Sequence, residues 1–395
     1  MLKNIYSFIL KIYEYIKSYY IYFCNIKRFI HKDRRTIKNK YEDYLDKIYL
    51  YVGEKTKRLE EVKFSKTCLK DSIYAKTYLL LILLDLDFSI ESKEIQNLWR
   101  EIDDSQCKDG LFYDINALNY QFIIGDHFGA RHLLPQIIIA YVKMGKTPKY
   151  RFSYLDFLQN PDVAVDFIST LGWDKPWRAS NVVMNYVVAM QYARDYMKDE
   201  CFTQSIKAIE NWLVKNINPQ MGMWLFKRKI TKSDKYEAVR AAYHIYPILK
   251  YDGIDIPYAE KAIDIILELQ NNMGGYDFKF NSGACEDIDA IDSLIRLSAQ
   301  TEYKKEDVKK CIKKSINWVL KNQMDDGGFV FSIGEKFSYG HINLSSEKNE
   351  SNLFATWFRN LSLMYMFDYL GIVNNHFQKI PGMELDYHQR QVAIE

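Results

Sequence analysis

A turn that combines glycine with an aromatic residue recurs along the chain after stretches of helical spacing. Its four clear copies are Gln106–Phe112, Asn218–Trp224, Gln270–Tyr276 and Gln323–Phe329. Their aromatic residues lie 112, 52 and 53 positions apart, and Gly172 and Trp173, with Trp177, form a degenerate copy near the middle of the first interval. A period near fifty residues accommodates two helices and two connections, so the pattern predicts one helical hairpin per repeat.

Chain breakers are scarce, which favours a mainly helical protein. Only 8 Pro and 17 Gly occur in 395 residues. Hairpins of this kind can stack as an open solenoid or close into a ring, and closure is favoured because neither end has an obviously polar capping repeat. We expect an all-α, single-domain α/α toroid of five to six hairpins over residues 41–375. Residues 1–40 are expected to form a basic amphipathic helix outside it, and residues 376–395 a C-terminal tail.

The basic charge is confined to the N-terminal segment. Residues 1–40 carry ten Lys and Arg against Glu14 and Asp33, which gives +8 in a chain whose net charge is +3. In residues 2–30, apolar and aromatic residues alternate with charged ones. The segment carries too many charged residues to span a bilayer. The predicted helix either lies on an anionic leaflet or packs on the domain. We expect no transmembrane helix, and a cytoplasmic protein with peripheral contact to the inner membrane face through residues 2–30.

Several functional classes lack support in the sequence. The six Cys are far apart with no CxxC pair, and no signal peptide precedes them, which favours a reducing compartment. No nucleic-acid motif or overall basic excess occurs, so no nucleic acid is expected as a partner. Walker, dinucleotide, GxSxG and HExxH motifs do not occur either. The expected partner is a small molecule, either a lipid or an anionic sugar.

An acid-rich stretch opens the helix that follows the third clear turn. Glu286, Asp287, Asp289 and Asp292 place four carboxylates within seven residues. Neighbouring carboxylates raise one another's pKa, and burial adds to this, which keeps an acid protonated for proton donation. A structural interpretation stays open, because acids in a first helical turn complement the helix dipole and Asp292 can pair with Arg296.

A second ionisable cluster lies between apolar flanks. Asp126, His127, Arg131 and His132 fall within seven residues, and burying them without partners would be costly. His127 and Arg131 lie one helical turn apart and can grip an anion such as a diphosphate, while Asp126 can orient either His. We predict that all four bind substrate.

Other candidate substrate-binding residues are aromatic or lie beside aromatic residues. Tyr243 and His244 occur together at a predicted helix end. Trp173 and Trp177 suit a cavity wall that stabilises cations or stacks sugars. The same residues also suit a thick hydrophobic core.

The best-preserved turn, Gln323–Phe329, resembles the repeat of terpenoid cyclases and protein prenyltransferase β-subunits. The resemblance covers roughly residues 95–370. It implies an α/α toroid in which inner and outer helices surround a central cavity. The glycine, glutamine and aromatic positions of the turn have structural roles in any such toroid.

The stretch around Asp287 resembles the Asp-x-Asp-Asp acid motif of class II terpene cyclases. The resemblance implies that Asp287 is the first Asp and Asp289 the donor that protonates an alkene or epoxide, with Glu286 beside them. Ala290 stands where the last Asp of the motif would be. With this assignment we expect no metal or other cofactor. The prenyltransferase resemblance instead implies zinc at Cys285 and Asp287, with His341 the nearest candidate for the third ligand.

The resulting hypothesis is a terpenoid-cyclase-like enzyme, an isomerase or lyase. It would use carboxylic-acid chemistry in an aromatic-lined cavity on an anionic substrate such as an isoprenoid diphosphate. Two alternatives stay open because fold does not fix function. One is a hydrolase, lyase or epimerase of acidic glycans on the same architecture, and the other is a non-catalytic toroid scaffold. A dry aromatic pocket favours an isoprenoid, a wide polar groove a glycan, and no pocket a scaffold.

Overall fold

The computed structural model describes five stretches of the chain, which are residues 2–30, 33–117, 129–227, 229–374 and 377–382. Residues 126 and 127, both predicted to bind substrate, lie outside the described residues. Within these stretches the structure is dominated by helices, as the shortage of chain breakers predicts.

Fourteen α-helices occur in the described stretches. In chain order, α1 to α14 span Leu2–Cys24, Ile26–Ile30, Ile37–Thr56, Ile73–Asp85, Lys93–Asp104, Ala130–Met144, Pro161–Ser169, Pro176–Asp195, Thr203–Lys215, Lys232–Tyr251, Ala259–Leu269, Ala284–Ser298, Lys305–Lys321 and Leu353–Tyr369. One short antiparallel hairpin pairs β1 (Phe337–Ser338) with β2 (Ser345–Ser346).

Six of these helices form a closed inner ring. Helices α4, α6, α8, α10, α12 and α14 each contact the next in this order, and α14 returns to contact α4. The helices α5, α9, α11 and α13 pack around this ring, α7 packs on α9, and α3 packs on α4. The predicted α/α toroid is therefore confirmed, with six inner helices.

Inner and outer helices differ in how much of their surface is buried. In α4 every residue from Tyr74 to Asp85 is buried, as expected for a helix between the ring interior and an outer layer. The outer helix α5 instead buries one stripe with helical spacing, formed by Ile95, Leu98, Trp99 and Ile102.

The repeated turn joins neighbouring hairpins through its glutamine. The Nε2 of Gln323 donates to the carbonyl of its own turn glycine, Gly327 (2.9 Å), and to the carbonyl of Tyr44 on α3 (3.5 Å). Gln106 and Gln270 make the same pair of bonds, to their own glycine and to the backbone of the next outer segment. The turn is thus a connector between repeats.

The turn glycine has a steric reason to be glycine. Gly327 has a φ of +86°, and a Cβ there would overlap with the carbonyl of Lys47 on α3. Gly274 has a φ of +106°, and a Cβ there would lie 2.5 Å from the carbonyl oxygen of Lys314 on α13. Only glycine adopts this backbone freely and allows such close packing. The contact between Gly327 and Lys47 also joins the last turn to the first outer helix.

Helix α1 packs on the toroid through one face. Glu14 pairs with Lys279 (3.0 Å) and Lys17 with Glu335 (3.3 Å). Tyr22 contributes an aromatic contact to the loop that carries Lys279. Among the described residues, no helix is long and apolar enough to cross a membrane.

Candidate active site

The inner helices surround a cavity of about 370 Å³, a volume in the range of small-molecule sites. Its wall is formed by α6, α8, α10, α12, α14 and the segment 331–340, which includes β1. Aromatic side chains from four of these elements line it, namely Trp177, Tyr243, Phe331, Phe337, Tyr339, Phe354 and Phe358. The ring thus holds a space whose wall is rich in aromatic side chains.

One residue of the first predicted ionisable cluster and two of the second meet in this cavity. His132, from the first cluster, lines it together with Glu286 and Asp289, from the second. These residues are more than 150 positions apart in the chain and are brought together by α6 and α12. The predicted residues Trp177, Tyr243 and His244 line the same space, from α8 and α10.

Other predicted residues lie elsewhere. The guanidinium of Arg131 lies over the ring of Tyr186, 6.0 Å from its centroid, and Arg131 is not part of the cavity lining. Trp173 packs against Trp212 and Phe226 beside the outer helix α9. Asp287 is buried behind the wall and does not line the cavity.

Of the described carboxyl groups that line the cavity, Asp289 has the fewest interactions that would stabilise its negative charge. Its side chain is only 3% exposed, and no hydrogen bond or ion pair to it occurs within the described stretches. Burial, followed by the nearby Glu286 carboxylate, raises the pKa of Asp289 well above its usual range. Such surroundings favour the protonated form of a carboxyl group, which is the form that can donate a proton.

The neighbouring Glu286 is held by an arginine that the sequence analysis missed. Arg240 on α10 pairs with Glu286 at 3.0 Å and with Glu237 at 3.2 Å. Asp277 lies 3.9 Å from the same guanidinium, and burial, then Glu286, raise its pKa to about 7. Arg240 therefore balances a group of carboxylates at one side of the cavity.

Asp287 has the opposite surroundings to Asp289. It accepts hydrogen bonds from Tyr276 N (3.2 Å), Ser282 Oγ (2.6 Å), Trp318 Nε1 (2.7 Å) and Arg359 Nη1 (2.9 Å). Burial raises the pKa of Asp287, whereas Arg359 and the other donors favour its ionised form. Four donors complement a carboxylate acceptor, so this residue is suited to hold structure.

Arg359 connects this carboxylate to the cavity wall. It is fully buried on α14 and also donates to the carbonyls of Val330 (2.9 Å) and Phe331 (2.7 Å). The Asp287–Arg359 pair therefore fixes the start of α12 against the segment that supplies Phe331 to the lining.

The two histidines of the lining are held in different ways. His132 lies between Asn185 Oδ1 (3.1 Å from Nδ1) and Tyr339 Oη (2.5 Å from Nε2). His244 Nδ1 lies 2.9 Å from Ser180 Oγ. Burial, with a smaller effect of His132, lowers the pKa of His244 to about 3, so its imidazole is neutral at physiological pH.

The residues proposed for zinc do not converge. Within the described residues, no group of three or more His, Cys, Asp and Glu side chains could hold a metal ion. Cys285 lines the cavity, the Asp287 oxygens are occupied by protein donors, and His341 Nδ1 accepts a hydrogen bond from Asn343 N (3.1 Å).

The fold defines a class, the helical toroids of terpenoid-cyclase type. Solved structures of the type II terpene cyclase MstE from Scytonema share it. A variant of MstE in complex with geranylgeranyl dihydroxybenzoate, its substrate, aligns with a TM-score of 0.51 and 11% identity over 84% of this chain and 99% of that one. The apo structure aligns with a TM-score of 0.51 and 12% identity over 86% and 100%. No family model and no curated protein sequence matches this chain.

Proposed function

We propose that this protein is a terpenoid cyclase in which Asp289 protonates an isoprenoid polyene inside the central cavity. The observation that carries the proposal is a buried carboxyl group that faces an aromatic-lined space and has no hydrogen bond or ion pair from the described residues. The terpenoid-cyclase-type fold supports the same reaction class.

The reaction balances without a cofactor. The Asp289 carboxylic acid gives its proton to an alkene carbon of the substrate, which leaves a carbocation on the neighbouring carbon and a carboxylate on Asp289. Attack by a second alkene closes a ring and moves the positive charge. Loss of a proton from carbon then forms a new alkene, so that the product is an isomer of the substrate. The neutral imidazole of His244 lines the cavity and can take up that proton, because a carbocation is a far stronger acid than an imidazolium. Burial disfavours the imidazolium, so the proton is released again, and protonation of the Asp289 carboxylate restores both groups.

The aromatic wall suits the intermediates of such a reaction. A cation within about 6 Å of an aromatic face is attracted by the ring quadrupole, more strongly when water is excluded. Phe331, Phe337, Phe354 and Phe358 surround one side of the space and add no nucleophile that would capture a carbocation. Their apolar surfaces also suit an isoprenoid chain.

The hydrocarbon part of the substrate is better supported than an anionic part. MstE takes a substrate that combines a geranylgeranyl chain with an aromatic acid, which supports an isoprenoid here. The predicted anion contacts were His127, which lies outside the described residues, and Arg131, which lies against Tyr186. Arg240 lines the cavity but is engaged by Glu286. We therefore assign the cavity to the isoprenoid chain and leave the head group outside the proposal.

The other two hypotheses receive less support. An acidic-glycan enzyme calls for a wide polar groove, whereas this cavity lies within the ring and exposes more apolar than polar surface. A non-catalytic scaffold calls for a filled ring, and this ring contains a cavity of about 370 Å³.

The test is an assay of the full chain with geranylgeranyl and farnesyl compounds, analysed by mass spectrometry for isomeric cyclic products. In heavy water the product should gain one mass unit, because a deuteron from the acid is retained while a substrate proton is lost. Asp289→Asn should lower product formation by about 10²–10⁴-fold, whereas the control Asp174→Asn, at an exposed position, should behave as wild type. Consumption of acidic oligosaccharides with no isoprenoid product would contradict the proposal.

A further inference from the structure

Helix α1 carries an exposed apolar face. Tyr13, Ile16, Tyr20 and Phe23 are 61–68% exposed. They follow one another at intervals of three, four and three residues, which places them on one face of a helix. We call these four residues the α1 stripe.

The α1 stripe cannot turn inward, because the opposite face of α1 is already fixed to the toroid. Ile21 is buried there, and Glu14 and Lys17 form ion pairs with Lys279 and Glu335. These contacts fix the rotation of the helix about its axis. The stripe therefore points away from the protein.

Positive charge accompanies the stripe. Lys27, Arg34 and Lys38 are exposed and form no ion pair with the described part of the chain. They belong to the segment 1–40, whose net charge is +8. Basic residues near an anionic leaflet are attracted to its negative surface charge.

We propose that the α1 stripe docks on an anionic membrane surface, with α1 lying in the plane of the interface. Tyrosine, phenylalanine and isoleucine on one helix face suit the boundary between head groups and acyl chains. The net positive charge of the segment 1–40 complements anionic lipid, whereas in a dimer two such segments would repel each other. The attachment is peripheral, because no described helix is able to cross a membrane.

The docked helix also contacts the surroundings of the cavity. Its ion pair with Glu335 reaches the segment 331–340, which forms part of the cavity wall. Membrane attachment would thus hold that wall next to a lipid phase, where a hydrophobic isoprenoid substrate is concentrated. This consequence rests on the proposed function, whereas the docking itself does not.

The experiment is co-sedimentation of the full chain with vesicles, of phosphatidylcholine alone and of phosphatidylcholine mixed with phosphatidylglycerol. The wild type should bind the anionic vesicles. The combined variant Ile16→Ser, Tyr20→Ser and Phe23→Ser should bind the anionic vesicles at least about tenfold more weakly. The control Val163→Ser, at an exposed apolar position on α7, should bind as wild type. Circular dichroism should show unchanged helix content.

A charge variant tests the electrostatic part. Combined Lys27→Ser and Arg34→Ser substitutions should weaken binding several-fold at low salt, and less at high salt. Lys310→Ser on α13 should have no effect. Equal vesicle binding by wild type and stripe variant would overturn the proposal. So would a stripe variant that changes only the oligomeric state, because the occupant would then be a second copy of this chain. Since the vesicle assay needs no substrate, a failed cyclase assay leaves its result unaffected.

Discussion

Two carboxylates in the first turns of α12 have opposite surroundings. Asp287 belongs to a buried cluster with Ser282, Trp318 and Arg359 that supplies it with donors. Asp289 faces the cavity, and no described residue donates to it or pairs with it. Two positions along a helix differ by about 200°, so the two side chains point to opposite sides. One aspartate thus stabilises the structure on one side of the helix, and the other is available for chemistry on the opposite side.

The largest expected effect is on the cavity side. Asp289→Asn removes the donated proton while keeping the shape, so the cyclisation rate should fall by about 10²–10⁴-fold. Stability should not fall at neutral pH. Because folding raises the pKa of this carboxyl group, its favourable contribution exists below the ordinary pKa and is lost as pH rises. Single-turnover kinetics and urea unfolding check both parts, and a rate within tenfold of wild type would contradict the assignment.

The same substitution on the other side of the helix should act on stability. Asp287→Asn leaves the guanidinium of Arg359 buried without its counter-charge, which costs about 3–5 kcal/mol in the free energy of unfolding. Denaturant titration of Asp287→Asn and Asp289→Asn side by side measures the contrast. If the two variants were equally stable, the distinction between anchoring and catalytic carboxylates would be wrong.

The smallest effect concerns the neighbour of the cavity acid. Glu286→Gln removes a negative charge that raises the pKa of Asp289, so the pKa should move down. Activity requires the protonated acid and falls as pH rises through this pKa, so the alkaline decline should move to lower pH. The pH–rate profile measures this shift, with Glu268→Gln on α11 as a control. If the alkaline decline in activity stayed at the same pH, the charge of Glu286 would have no effect on the pKa of Asp289.

The fold was predictable because its determinants are local and repeated. Gln323, Gly327 and their equivalents occur at a fixed period, and the three copies that carry glutamine make the same connection to the next outer segment. A pattern that recurs with one structural purpose is visible in a single sequence.

The site was predictable only in part, because its assignment depends on partners far away in the chain. The stretch around Asp289 and the residue His132 were predicted, and they meet in the cavity. The contrast between Asp287 and Asp289 was not predicted, because Trp318 and Arg359, which decide it, come 31 and 72 residues after Asp287.

Arg240 and the segment 331–340 were missed for different physical reasons. Arg240 lies one helical turn before Tyr243 and His244, so the helical period could have placed it on the same face. Because Glu237 lies three residues earlier, Arg240 resembles one half of an ordinary surface ion pair. The segment 331–340 is largely irregular, and its aromatic side chains have no period that indicates which way they point.

Closure of the ring joins distant parts of the chain. The turn at Gly327 packs on Lys47, and Leu353 N at the start of α14 donates to the carbonyl of Phe64 (2.9 Å). Early hairpins can pack on their neighbours as they leave the ribosome. The contacts that close the ring cannot form until a partner almost 300 residues later has been synthesised. Contacts of such separation slow folding. Until translation reaches α14, one side of helix α4 has no neighbouring helix. The nascent chain therefore exposes apolar surface of the kind that chaperones recognise.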